Sequence, residues 1–169
     1  MLRIQPIDRI NIKLLKQLKS GLEEKFSKII GNISILRPIS LPHECFNQLR
    51  GQYNSTCLLR KIEPNWITLA VTDRDLYAST LNFVFGEAEL GGTRAIVSYY
   101  RLRLNADEEL LTQRLLKEAT HEIGHVLGLK HCRNRNCVMS FSNSVFDVDM
   151  KTDKFCDKCK NLIKLKLEF

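Results

Sequence analysis

The stretch HEIGHVLGLKHC, residues 121–132, constrains this chain more than any other, because it gathers three of the four histidines, a glutamate and a cysteine into one short segment. On a helix, residues four apart differ by roughly 40° in direction and about 6 Å in height, so His121 and His125 aim their rings at one point. Two ligands do not close a metal site. His131 lies six residues on, which along a continuing helix carries it about 9 Å beyond His125 and onto another face. The chain has to turn, and Gly128 stands where the left-handed conformation open to glycine allows a helix to end. With the chain reversed there, His131 swings back as third ligand.

Three neutral imidazoles on Zn²⁺ leave the fourth tetrahedral position free, which is the arrangement of a catalytic site. Glu122, next to the first ligand, points beside the metal and is placed to take a proton from a bound water. His43, the remaining histidine, is read as a surface or loop residue.

The cysteines extend this logic. Cys132 and Cys137 follow the last histidine, and Cys156 and Cys159 come later, giving two close pairs. Four thiolates so arranged suit a closed, structural zinc site. Neighbouring residues of an extended segment face opposite ways, so His131 serves one metal and Cys132 another. The alternative is two disulfides. The choice depends on the compartment: the N-terminus, MLRIQPIDRINIKLLKQLKS, breaks every apolar run with charge and is no secretory signal, and no stretch approaches a membrane span. A reducing cytoplasm is the default, where paired cysteines are metal ligands, disulfides of hyperthermophiles excepted.

The net charge of +7 raises nucleic acid as a partner, but the lysines are spread along the chain and mixed with acidic residues, which argues against it. Asp73 and Asp75, in TDRD, are read as turn and cap residues, not a cation site.

The length fits one domain, and no linker or repeat divides it. LRIQPI reads as a strand. A helix to Ile30 carries Leu15, Leu18, Leu22, Phe26 and Ile29 on one face and stops at Gly31-Asn32. ISILRPI is a second strand, ended by Pro38. A short helix over residues 55–62, capped by Asn54, precedes a third strand, WITLAVT. NFVFG (82–86) and RAIVSYY (94–100) flank a Gly91-Gly92 turn, the first as a candidate antiparallel edge. A long helix begins near Asn105, with Asn105 and Glu108 as capping pair and Leu111, Leu115, Ala119, Ile123 and Val126 buried. This alternation predicts an α+β fold, α/β-like, with helices packed on a sheet.

HEIGHVLGLKH followed by Met139 resembles the metzincin zinc peptidases, in which a methionine turn lies beneath the metal. The full pattern, with Cys132, Cys137, Met139, Cys156 and Cys159, closely resembles the archaemetzincin branch, and TDRDLY and NFVFG are similar to it too. The resemblance implies a single compact domain with a twisted, mixed five-stranded sheet, its first part (1–128) bearing the sheet and active-site helix and its second (129–169) the methionine turn, structural zinc and C-terminal helix. It implies a cleft along the edge strand, placed at Asn82, Phe83, Val84, Phe85 and Gly86. Cys45 and Cys57 fall outside the motif and are read as buried or free thiols. The expected activity is hydrolysis of peptide or protein substrates, as endopeptidase or aminopeptidase, by a monomer carrying two zinc ions. A zinc-stabilised peptide-binding or scaffold protein with little turnover is the rival.

Overall fold

The structure, a computed structural model, describes residues 1–167, so residues 168 and 169 of the expected second part lie outside the described residues. Strands β1 (Leu2–Pro6), β2 (Ile33–Ile35), β5 (Ile67–Thr72), β7 (Gly86–Ala88) and β8 (Arg94–Ser98) form one sheet in the order β2-β1-β5-β8-β7. All pairings are parallel except β7 with β8. A second sheet of very short strands, β3 (Phe46–Asn47), β4 (Gln52–Asn54) and β6 (Leu76–Tyr77), was not expected from the sequence.

Strand alternation sorts the core into two layers. Leu69, Val71, Ala95 and Val97 face helices α1 (Ile12–Ile30) and α3 (Glu108–Val126), while Ala70 and Ile96 face α2 (Ser55–Leu59) and the small sheet. Being covered on both sides, β5 is apolar almost throughout, as central parallel strands are. Helix α4 (Val145–Met150) lies against α3, and α5 (Asp157–Leu167) closes the C-terminal part. The result is one mixed α/β domain.

Several element boundaries differ from expectation. Helix α3 starts at Glu108, capped by Asp107, whose carboxylate accepts from Leu110 N–H at 2.8 Å; Asn105 instead takes φ 49° in the preceding turn, so it forms no capping pair with Glu108. The buried row of α1 ends on Ile30, four residues after Phe26, and Ile29 is turned out. Helix α2 stops at Leu59, after which Lys61 and Ile62 donate to carbonyls only three residues back, a tighter 3₁₀-like turn. β2 is cut short before Pro38, which has no ladder N–H, although Ile39 still bridges Ile7. The edge strand is Gly86–Ala88, not residues 82–86.

The largest correction concerns Cys45 and Cys57, which form a disulfide and are not free thiols. Cys45 ends a 3₁₀ turn and Cys57 sits in α2; packing of the two brings their Cα atoms to 5.4 Å, within bridging range. Asp75 likewise does more than shape a turn, since Arg101 donates to both its oxygens at 2.7 and 2.8 Å and Gln52 adds a third bond.

Candidate metal centres

Helix α3 brings His121, Glu122 and His125 to its final turns, and its ending sets the position of His131. Gly128 has φ 87°; its N–H donates to His125 O at 2.8 Å and the next N–H, of Leu129, to Gly124 O at 2.9 Å. These two bonds are a Schellman cap, which satisfies the last carbonyls while reversing the chain. The donor nitrogens of His121, His125 and His131 consequently lie within 4.8 Å of one another.

The outward ring nitrogens are tied back. His121 Nδ1 meets Val138 O at 2.8 Å and His125 Nδ1 meets Leu129 O at 2.7 Å. A carbonyl only accepts, so each Nδ1 carries the proton and leaves the Nε2 lone pair facing the cluster. The two Nε2 atoms are 3.0 Å apart, close to the roughly 3.3 Å edge of a tetrahedron built with ~2.0 Å metal–nitrogen bonds. Burial holds all three imidazoles below their usual pKa; Lys151 adds to the effect at His121, and His125 at His131. Neutral rings with free lone pairs are what a metal requires.

Glu122 is almost wholly buried, and that burial, with Glu118 nearby, pushes its carboxyl well above the ordinary range. Gly86 of β7 passes so close that a Cβ there would sit 2.7 Å from Glu122 Oε1. Met139, fully buried, packs against the helix at Gly124, where a Cβ would collide with its sulfur. The methionine thus supports the helix directly between the first two histidines, and Val138 beside it orients His121.

The second cluster is closed. Cys132 Sγ lies 3.8 Å from Cys156 Sγ, and Cys137 Sγ 3.8 Å from Cys159 Sγ. These separations are too long for disulfides and match the edge, about 3.8 Å, of a tetrahedron with ~2.3 Å zinc–sulfur bonds. The thiols share a small apolar core with Leu129, Val138, Met139 and Ile163. Cys156 immediately precedes α5, where the N–H of Cys159 draws its thiol down to about 7, whereas burial pushes Cys137 and Cys159 up. Both donor sets therefore fit zinc, and His43 is exposed and belongs to neither set.

A cleft of about 800 Å³ opens over the three histidines. Of the residues expected to bind substrate, Asn82, Phe83, Val84 and Gly86 line it, but Phe85 points into the core at 5 % exposure. Glu87 and Ala88 of β7, Phe141 and Ser142 after the methionine, and Glu118 are among the further residues that line it. Glu118 had a sequence signal: residues 118, 121, 122 and 125 follow the i, i+3, i+4, i+7 spacing of one helix face, here polar instead of apolar. Among the described residues, no helix is long and apolar enough to cross a membrane.

The sequence model described as peptidase family M54 matches residues 41–165. Archaemetzincin of Archaeoglobus fulgidus is 50% identical over 161 residues, covering 95% of this chain and 97% of that protein. A crystal structure of archaemetzincin from A. fulgidus superposes with a TM-score of 0.89, covering 95% of this chain and 98% of that one. One from Methanopyrus kandleri, 39% identical, gives 0.88 and covers 100% of this chain and 96% of that one. The family suggested by the spacing of histidines, cysteines and methionine is thus the one the whole chain matches. The chain belongs to peptidase family M54, the archaemetzincins, and is a zinc metallopeptidase.

Proposed function

We propose that His121, His125 and His131 hold a catalytic zinc, that Cys132, Cys137, Cys156 and Cys159 hold a second, structural one, and that Glu122 is the proton carrier of peptide-bond hydrolysis. The observation that carries the reading is the convergence of three Nε2 lone pairs, two of them fixed by backbone carbonyls, with a buried carboxyl beside them. A zinc ion so held acidifies water and polarises a carbonyl. Glu122 accepts the proton released in the attack and passes it to the departing amine. Its place in the cleft lining beside His121 and His125 is what would let one carboxyl serve both halves of that exchange.

Peptide is held along β7, which among the described residues is an edge strand of the sheet. An extended substrate adds there as a further strand, its main chain paired to residues 86–88. The first part, residues 1–128, then supplies helix and edge strand, and the remainder the methionine turn and the thiolate site. A cytoplasmic monomer is the accompanying reading: Cys132, Cys137, Cys156 and Cys159 are free thiols, as a reducing compartment leaves them, while the Cys45–Cys57 bond requires that compartment to tolerate one disulfide.

The test is an unbiased peptide-cleavage profile of metal-replete protein prepared without a His tag, with elemental analysis and Glu122→Ala as control. Internal cuts mark an endopeptidase, release of single N-terminal residues an aminopeptidase. Two zincs per chain and chelator-sensitive cleavage support the reading; no cleavage by zinc-loaded wild type overturns it.

A further inference from the structure

The peptidase reading leaves one part of the cleft without a role. Glu118 is 3 % exposed, one helical turn before His121, and lines the cleft although it is neither ligand nor proton carrier. Its Oε1 lies 2.8 Å from the ammonium of Lys151, which is 2 % exposed and also donates to Ser140 O at 3.1 Å. Ser142, two residues further on, lines the same cleft, and its buried hydroxyl has no hydrogen-bond partner among the described residues. The same cleft is lined besides by apolar Leu81, Phe83, Val84 and Phe141 and by polar Glu87, Lys130 and Asn143.

A buried hydroxyl without a partner is costly to leave unmatched, so such an atom in a cleft marks where a ligand group is to come. Glu118 offers acceptors only, and Ser142 offers a donor and an acceptor. Charge narrows the choice. The Glu118 carboxylate already has its counter-ion in Lys151, so a cationic side chain entering here meets a second buried ammonium beside a carboxylate that is already paired. An anionic one meets the Glu118 carboxylate itself. A neutral group that both donates and accepts fits, and a carboxamide does both at once: its N–H₂ to the Glu118 carboxylate, its carbonyl to the Ser142 hydroxyl.

Resting on the peptidase reading, we propose that Glu118 and Ser142 form a specificity subsite beside the histidine cluster that selects a glutamine or asparagine side chain of the peptide. Lys151 neutralises the subsite and fixes Glu118 from behind. A site built to hydrogen-bond a group rejects the isosteric apolar analogue because its own polar atoms are then stranded.

The experiment measures binding, not turnover, so that it is independent of whether the protein cleaves. Zinc-loaded Glu122→Gln protein is titrated calorimetrically with alanine-based peptides in which each position in turn is Gln, Asn, Met, Glu or Lys. At one position Gln or Asn should bind about tenfold tighter than Met, Glu or Lys. Adding Ser142→Ala should cut that preference to about threefold or less. Because Glu118→Ala alone strands Lys151 in the interior, the second variant pairs Glu118→Met with Lys151→Met, and there the Met peptide should equal or surpass the amides. Equal binding of Gln and Met, preference for Glu or Lys, no binding of any peptide, or an amide preference that survives both variants would each overturn the assignment. Failure of the peptidase reading looks different: peptides bind with the amide preference, yet wild type cleaves none of them.

Discussion

The histidine and cysteine clusters share one stretch of chain, from the turn at Gly128 to Met139, yet they are built for opposite ends. The thiols sit among Leu129, Val138, Met139 and Ile163, and Cys137 and Cys159 are buried. Four donors would saturate a tetrahedral ion there, as proposed above, and the energy of binding would then go into folding. The imidazoles number three, His131 is exposed, and a cleft opens over them. On the proposed reading an ion held by these three would keep a position free for chemistry, and the same openness would make that site the weaker contributor to stability. Donor count and enclosure, more than metal identity, divide the two roles.

The sharpest test of that division is at Glu122, proposed to serve the open site without holding its metal. Glu122→Gln should retain two zincs and the wild-type melting temperature while hydrolysis falls by about 10² to 10⁴, the usual worth of general acid-base assistance. Wild-type turnover with full zinc occupancy would break the mechanism. On the closed side, Cys137→Ser should cost more than ~3 kcal/mol, or roughly 6–12 °C in melting temperature for a chain of this size. His125→Ala should empty the open site with less than about half that shift. Equal melting shifts in the two variants would erase the distinction. Graded chelation should agree with it, activity disappearing at chelator concentrations that leave the fold intact.

Gly124 lies where the two halves touch. A Cβ at this position meets the Met139 sulfur and comes 3.2 Å from Phe155 Cε1, so Gly124→Ala should push the methionine segment from the helix. Overpacking of this kind costs about 1–3 kcal/mol. Since Cys132 N–H donates to Met139 O, the displacement should also loosen the thiolate cluster, read as faster zinc loss to a thiol-competing chelator. Loss confined to the histidine site would mean that the shared segment transmits nothing.

How much of this was legible in the sequence follows from how local each feature is. The HExxHxxGxxH spacing encodes its own geometry, because helix rise and a glycine cap decide where three histidines fall. The two cysteine pairs were legible through their spacing, and the parallel strands through their apolar runs. The Cys45–Cys57 bond was not, since it needs a 3₁₀ turn and a five-residue helix to meet by packing, and nothing in the spacing of those cysteines separates them from free thiols. Strands β3, β4 and β6, two or three residues long, carry no period to detect. The shift of the edge strand to Gly86–Ala88 has a tertiary cause as well: residues 82–85 are drawn toward the small sheet, where Val84 bridges Leu76.

The smallest predicted effect concerns α4, which packs on the helix that carries His121 and His125. Arg114 of α3 donates to both Asp149 oxygens at 2.7 Å, and Lys117 donates to Val148 O at 2.9 Å, so α4 is clamped to the active-site helix by side chains and not by a metal. Arg114 holds the Asp149 carboxyl below its ordinary range. A carboxylate with a depressed folded-state pKa stabilises the fold fully above its unfolded value, near ~3.9, and loses that contribution as pH falls through the lower folded value. The Asp149 side chain is 36% exposed, so solvent screening keeps the contribution to about 1 kcal/mol or less. In urea titrations Asp149→Asn should be less stable than wild type at pH 7, and the two should converge as pH drops below about 4. Any metal lost in acid would be lost equally from the two proteins and would cancel in their difference. A gap that persists undiminished to pH 3 would show that Asp149 acts through shape and not charge, and the clamp would then have to be assigned to Lys117 and the buried Glu118–Lys151 pair.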